Sequence, residues 1–359
     1  MPLEQPGPPP RACPASARAT ASPYIPSSPG PPAMSLRPEA NWTARLPRDF
    51  VILGFSGWPR GLRTLLFALG LPLYAATLAG NLLIVALAAA DRALHTPMYF
   101  FLGSLSAVEV AYTLVLTPRT LAGFLLPPGG QAVPVSVCAA QMGLFVALGG
   151  AECLLLAAMA LDRYLAICRP LRYPQLVTPA LCWRLLAACC AGGASLALAL
   201  TTAIFQLPFC RGHLVNHVFC DLPALLELAC GDKALQERAL LAACLLLLVL
   251  PLVLILMSYA RVLATILGPG AGAEGRRKAL GTVASHLTVA VLHYGSATAM
   301  YARPLEGRSL EQDKLVSLVY IYLTPLLYPA IYTLRNRDMQ GALRRALAAP
   351  CTAHLGCRG

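Results

Sequence analysis

An all-α membrane protein of seven transmembrane helices is the fold class this sequence predicts, and three observations predict it. The 359 residues are 57% hydrophobic and only 12% charged, whereas about a quarter of the residues of a soluble domain are charged. Apolar stretches long enough to cross a hydrocarbon core of roughly 30 Å recur seven times, at about 62–88, 97–121, 135–165, 181–207, 240–266, 279–301 and 315–334. The net charge of +12 sits in short segments between spans and in the tail, so it reports topology and does not point to nucleic acid.

Arg169, Arg172 and Arg184 flank the loop after the third span, Arg276, Arg277 and Lys278 precede the sixth, and Arg335, Arg337, Arg344 and Arg345 follow the seventh. The positive-inside rule makes these ends cytoplasmic. An odd number of spans then leaves the N-terminus outside, as expected of a multi-pass plasma-membrane protein. Arg60 and Arg63 oppose this locally, on the outer flank of span one. The expected division is a Pro/Ala-rich, disordered extension at 1–33, an extracellular segment at 34–61, the membrane domain at 62–334, and a cytoplasmic amphipathic helix and tail at 335–359. Residues 1–33 have no apolar core, so span one is expected to act as the signal anchor. The sequon Asn41-Trp42-Thr43 is a glycosylation acceptor if that segment is lumenal.

Taken in order, span one carries Gly80-Asn81, a small residue beside a buried amide that can bond a neighbouring helix. Pro97 opens span two, where a missing N–H costs nothing. Span five contains Pro251, and span seven contains Pro325 and Pro329; each frees a carbonyl and gives either a hinge or a static kink. Gly268 to Glu274 form a flexible connector. Beyond span seven, Met339, Ala342, Leu343 and Leu347 recur at helical spacing opposite Arg337, Arg344 and Arg345, which suits a helix lying on a lipid bilayer surface. Cys351 and Cys357 are candidates for palmitate.

Met159 to Tyr173 places an acid–base pair, Asp162-Arg163, at the foot of the third span, where water makes the charges tolerable. Together with Leu94 to Leu102, Val215 to Asp221, Ala284 to Val289, His293-Tyr294-Gly295 and Pro325 to Asn336, this stretch resembles the olfactory receptor family of rhodopsin-like G-protein-coupled receptors. The residues from Met300-Tyr301 through Arg303-Pro304 resemble its tetrapod-type class II. The resemblance covers about residues 34–347. It implies detection of a small volatile odorant and activation of a heterotrimeric G protein of the olfactory, stimulatory type, raising cyclic AMP without a cofactor.

The resemblance also implies roles for particular residues. Asp162 and Arg163 would form a G-protein switch, with Tyr259 and Tyr332 receiving the released Arg163. The ligand pocket would comprise Met142, Phe145, Val146, Gly149, Cys244, Leu247, Ala297, Thr298 and Tyr301, with Tyr294 at its floor. Cys138 would join Cys220, and Cys210 would join Cys230. Spacing alone leaves three pairings of these four cysteines open, and it also leaves open a zinc or copper site at Cys210, His213, His217 and Cys220. Glu109 and Glu152 are intramembrane carboxylates and therefore functional candidates: they fall where rhodopsin-like receptors hold a sodium ion, or else they are protonated and simply hydrogen-bonded. The family usually carries Phe where this chain has His293 and Asn where it has Tyr328.

Other classes meet obstacles in the sequence. An amine receptor would be expected to offer a carboxylate on the pocket side of span three, where Phe145 stands. An opsin needs a lysine in span seven, and 316–334 contains none. No His-Glu-x-x-His or nucleophile elbow appears, so an enzyme is not expected. A transporter or channel would use Glu109 and Glu152 as ion ligands along a path, and a receptor-like chain without signalling is the other alternative.

Overall fold

The computed structural model describes residues 47–126, 129–268, 273–302, 309–334 and 336–355, with side chains described except at 273–279, 282, 310, 334 and 349–355. Asn41, Arg335, Arg303-Pro304, Cys357 and the side chains of Arg276, Arg277, Lys278 and Cys351 therefore lie outside the described residues. Six of the described helices are long and apolar enough to cross a membrane: Arg60–Ala90, Pro97–Leu125, Val135–Cys168, Pro179–Phe205, Ala234–Leu267 and Glu311–Thr333. The remaining long helix, Ala273–Tyr301, is span six in chain order. It is less apolar because Ser285, His286, His293 and Ser296 interrupt it. The helices overrun most of the expected boundaries by a few residues, since a helix continues into the headgroup region after its apolar run ends.

Span three is the axis of the bundle, packing against spans two, four, five and six. Its closest approach is to span four, where a Cβ on Gly193 would collide with the backbone carbonyl of Ala147 and lie 2.9 Å from the Ala151 nitrogen. Small residues let two helix backbones meet where lipid supplies no hydrophobic drive for association. Between spans one and seven the same device appears at Gly80, whose added Cβ would lie 2.8 Å from Pro329. Beside it, Asn81 is fully buried and donates to the Thr77 carbonyl at 3.0 Å and to the Pro325 carbonyl at 3.4 Å. Pro329 has no N–H for that carbonyl four residues earlier, so the Asn81 amide supplies the missing donor.

Pro251 and Pro325 follow widened turns. Leu245–Val249 and Val319–Leu323 are single π-helical turns, ending just before Pro251 and Pro325 respectively. Carbonyls that lose a partner to proline are accommodated by such local adjustment.

One end of the bundle carries structure that the all-α expectation omitted. Strand β1, Asp49–Ile52, pairs antiparallel with β2, Gln131–Pro134, and parallel with β3, Leu214–Val215. This three-stranded patch clamps the segment before span one onto the loop between spans four and five. Arg63 belongs to the same end. It is 5% exposed, and its guanidinium donates to the Leu126 carbonyl at 2.5 Å, so it serves the C-terminal end of span two, where a cation is favoured.

At the other end, the helix Arg337–Leu355 docks through buried Met339 and Ala342, with Leu343 packed against the core. Leu347, expected on the same stripe, is exposed. Arg345 grips Asp91 at 2.7 and 2.9 Å. The Asp91 carboxyl is held below the usual carboxylate range, first by the Ala93 N–H and then by Arg345.

Candidate functional site

The bundle encloses a cavity of about 120 Å³ between spans two to seven. Its upper wall is apolar and aromatic, built by Phe145, Val146, Gly149, Cys244, Leu247, Ala297 and Tyr301 together with Leu196, Leu200, Leu240 and Tyr320. These residues converge because span three presents Phe145, Gly149 and Glu152 on one face, three or four residues apart. The Phe145 ring lies 5.1 Å from that of Phe219, 5.7 Å from Tyr112 and 6.2 Å from both Tyr301 and Tyr320.

Three residues expected to line this cavity do not. Met142 is fully buried one turn above Phe145, among Phe50, Leu200 and Ile204. Tyr294 is 1% exposed, and its hydroxyl donates to the Cys153 carbonyl at 2.7 Å, which ties span six to span three beside the cavity. Thr298 is exposed and does not line the cavity. Helical spacing placed Tyr294 and Thr298 near the pocket but could not fix the rotation of span six, and on span three it could not fix how far toward Met142 the cavity extends.

The floor is polar and was only partly foreseen as belonging to the ligand space. Glu109, Glu152, Cys153, His293 and Tyr328 all line the same cavity. The Tyr328 hydroxyl is hydrogen-bonded with His293 Nδ1 at 2.7 Å, and His293 Nε2 lies 3.2 Å from Cys153 Sγ. Glu152 Oε2 is 3.6 Å from His293 Nδ1. Among the described residues no group of three or more His, Cys, Asp or Glu is arranged to hold a metal ion.

A lid closes the other end. Cys138 is bonded to Cys220 and Cys210 to Cys230, with Cα separations of 5.4 and 5.8 Å, so Cys210 and Cys220 belong to different bridges and do not share a metal with His213 and His217. The short helix Leu222–Leu228 follows, and Leu222 reaches the cavity wall. Asp221 caps that helix, accepting from the Leu222 N–H at 2.9 Å and from the Tyr301 hydroxyl at 2.9 Å. His217 Nε2 contacts Ser317 Oγ at 3.0 Å. Neither link was legible, because each joins the loop to a distant span.

Far from the lid, Arg163 Nε donates to Asp162 at 2.9 Å, and Nη2 pairs with the same oxygen. The other Asp162 oxygen accepts from the Tyr173 hydroxyl at 2.7 Å. Burial first, and the Asp162 bond second, push the Tyr173 phenol well above its usual range. Tyr259 and Tyr332 do not meet Arg163; their rings flank His286 at 5.3 and 6.5 Å. Both hydroxyls and both His286 ring nitrogens lack a hydrogen-bond partner among the described residues.

Comparison with known proteins accords with these features. The sequence profile described as olfactory receptor matches residues 71–349. Olfactory receptor 10AC1 of Homo sapiens is 51% identical over 306 residues, covering 85% of this chain and 93% of that protein. Olfactory receptor 10Z1 of Homo sapiens is 47% identical over 299 residues, covering 83% and 94%, and Olfactory receptor 10J1 of Homo sapiens is 44% identical over 301 residues, covering 83% and 92%. With the profile spanning most of the chain and relatives this similar over nearly their whole length, the chain belongs to the olfactory receptor family, as a multi-pass G-protein-coupled receptor and not an enzyme.

Proposed function

We propose that this receptor detects small, volatile, largely apolar molecules in the cavity beneath the lid and activates a stimulatory, olfactory-type G protein to raise cyclic AMP. The observation that carries the reading is the arrangement along span three. Phe145 faces the cavity and Arg163 stands at the opposite end of the same helix, about 27 Å away at 1.5 Å per residue. A ligand that prefers one packing of the bundle shifts the equilibrium of both ends, and equal affinity for both packings would shift nothing. An apolar wall suits recognition by shape and dispersion.

In this reading the disulfide-bonded end faces outside the cell, Asn41 carries glycan, and the end with Asp162 and Arg163 meets the G protein. Activation separates Arg163 from Asp162 and lets it approach Tyr259 and Tyr332, whose unused hydroxyls support that role. The test is cyclic AMP in cells expressing the chain with the olfactory Gα subunit, across an odorant panel. A ligand-dependent rise that vanishes in Arg163→Ala at equal surface level is expected. No rise from any odorant, with Tyr328→Asn responding, would favour the alternative of an uncoupled receptor, which the Tyr328–His293 link makes specific.

A further inference from the structure

We propose that the Cys153 thiol captures short α,β-unsaturated aldehydes covalently and reversibly at the floor of the cavity, with His293 as its base. The inference deepens the odorant-receptor reading and rests on it for the cavity being a ligand site.

Cys153 and His293 both line the cavity, and Cys153 Sγ lies 3.2 Å from His293 Nε2. A thiol within hydrogen-bonding reach of an imidazole, with the imidazole oriented by a third group, is the arrangement that activates a nucleophilic sulfur. Tyr328 is the third group, its hydroxyl 2.7 Å from Nδ1. In the tautomer that carries its proton on Nδ1, this bond runs to the phenol oxygen and leaves the Nε2 lone pair facing the thiol. Glu152 Oε2 stands 3.6 Å from the same Nδ1, beside the ring on which positive charge develops when Nε2 takes a proton. The backbone under the thiol is fixed as well, because the Tyr294 hydroxyl donates to the Cys153 carbonyl at 2.7 Å.

Cys153 is 3% exposed, so what reaches its sulfur comes through the cavity. Gly149 opens the way. It stands one turn above Cys153 on span three, and an added Cβ there would meet nothing nearer than the Tyr112 ring at 3.8 Å. A short alkyl chain against Phe145 and Leu247 can therefore bring its polar end down to the thiol. Among the described residues no lysine lines the cavity, so an aldehyde meets no amine with which to form an imine. The other thiol in the wall, Cys244, is directed at the Tyr301 carbonyl at 3.5 Å, a group that takes no proton from it.

In the step, Sγ bonds to the β-carbon of the unsaturated aldehyde, the C=C π pair shifts toward the α-carbon and the carbonyl oxygen, and the S–H proton passes to Nε2. The imidazolium then gives that proton to the α-carbon, leaving a thioether that bears a saturated aldehyde. Every atom of the ligand is retained, nothing leaves, and no oxidant or reductant is consumed. The α-proton remains acidic beside the carbonyl, so the same imidazole reverses the addition and resets the receptor. A saturated aldehyde of equal length meets the same wall but has no β-carbon to attack.

The test uses the full chain in lipid nanodiscs, so it is independent of G-protein coupling. The protein is exposed to trans-2-hexenal or hexanal, adducts are fixed with borohydride, and each cysteine is followed over time by peptide mass spectrometry. Cys153 is expected to gain the hexenal thioether and none from hexanal, and excess hexanal should slow the labelling by occupying the cavity. His293→Phe should slow it about 100-fold, while Cys244 and the exposed Cys190 keep their wild-type rates. If His293→Phe fails to fold, His293→Gln and the wild-type contrast of Cys153 with Cys190 carry the decision. Cys153 reacting no faster than Cys190, Cys153 rates that are the same with and without the imidazole, or no protection by hexanal overturns the proposal. Loss of Cys153 labelling beside a cyclic AMP response to hexanal overturns it too and leaves the receptor reading standing. Intact Cys153 labelling without any cyclic AMP response defeats the signalling reading alone.

Discussion

The Tyr328 hydroxyl lies 2.7 Å from His293 Nδ1, so two positions that the sequence resemblance marks as departures, from an expected Asn and Phe, are in contact. The phenol and the imidazole share one hydrogen bond whose direction follows the imidazole tautomer, and the other ring nitrogen, Nε2, lies 3.2 Å from Cys153 Sγ. Spans six and seven are thereby tied at mid-depth. Tyr328→Phe and His293→Phe should each lower the thermal midpoint, and the double variant should cost less than their sum. The coupling expected inside a membrane bundle is about 0.6–1.7 kcal/mol. Strict additivity would mean that the bond contributes nothing. Tyr328→Asn should raise the maximal cyclic AMP response at equal surface level, because it releases the two spans.

Much of this was legible in the sequence, for definite reasons. Membrane spans announce themselves because every residue of a spanning segment must be tolerated by lipid or by a neighbouring helix. The cavity wall from Phe145 to Gly149 was legible because helical spacing fixes which residues share a face. Contacts between distant segments were not. Tyr173 closes the Met159–Tyr173 stretch, yet its bond to Asp162 depends on a loop folding back. His286 was seen as part of a motif and given no role, although it separates Tyr259 from Tyr332. The strand pairing of 49–52 escaped because four residues before an apolar span carry no periodicity to read.

Asp162 holds two partners, and their removal should have graded effects. Asp162→Asn leaves Arg163 without its counter-charge and should raise basal cyclic AMP several-fold, whereas Tyr173→Phe removes one neutral donor and should raise it less. Because burial and Asp162 push the Tyr173 phenol upward, it stays a protonated donor at all physiological pH values. Ionisation of Tyr173 therefore should not alter basal activity between about pH 6 and 9. A difference between wild type and Tyr173→Phe that disappears as pH rises within that range would contradict this assignment.

Gly193 tests the closest helix contact. An added methyl meets the Ala147 carbonyl, which is backbone and cannot swing away. Gly193→Ala should therefore push spans three and four apart at about 1–3 kcal/mol and reduce the surface level. Gly192→Ala, whose added Cβ would meet only the Leu154 side chain at 3.1 Å, should be tolerated. Equal surface levels for the two variants would show that the close approach is not required.

Tyr301 couples the lid to the bundle while forming part of the cavity wall. Its hydroxyl donates to Asp221, which is fully buried and at the same time caps the Leu222–Leu228 helix. Its ring stays packed near Phe145 whether or not the hydroxyl is present. Tyr301→Phe thus removes the tether and preserves the shape of the wall. A looser lid lets the ligand leave sooner without changing the packing it selects, so potency should fall while the maximal response holds. Taking about 0.6–1.7 kcal/mol for the bond, half-maximal concentrations should rise roughly 3- to 20-fold. Tyr301→Ala, which also removes the ring, should lose more. Unchanged potency in Tyr301→Phe beside a loss in Tyr301→Ala would assign the whole effect to the wall and none to the lid.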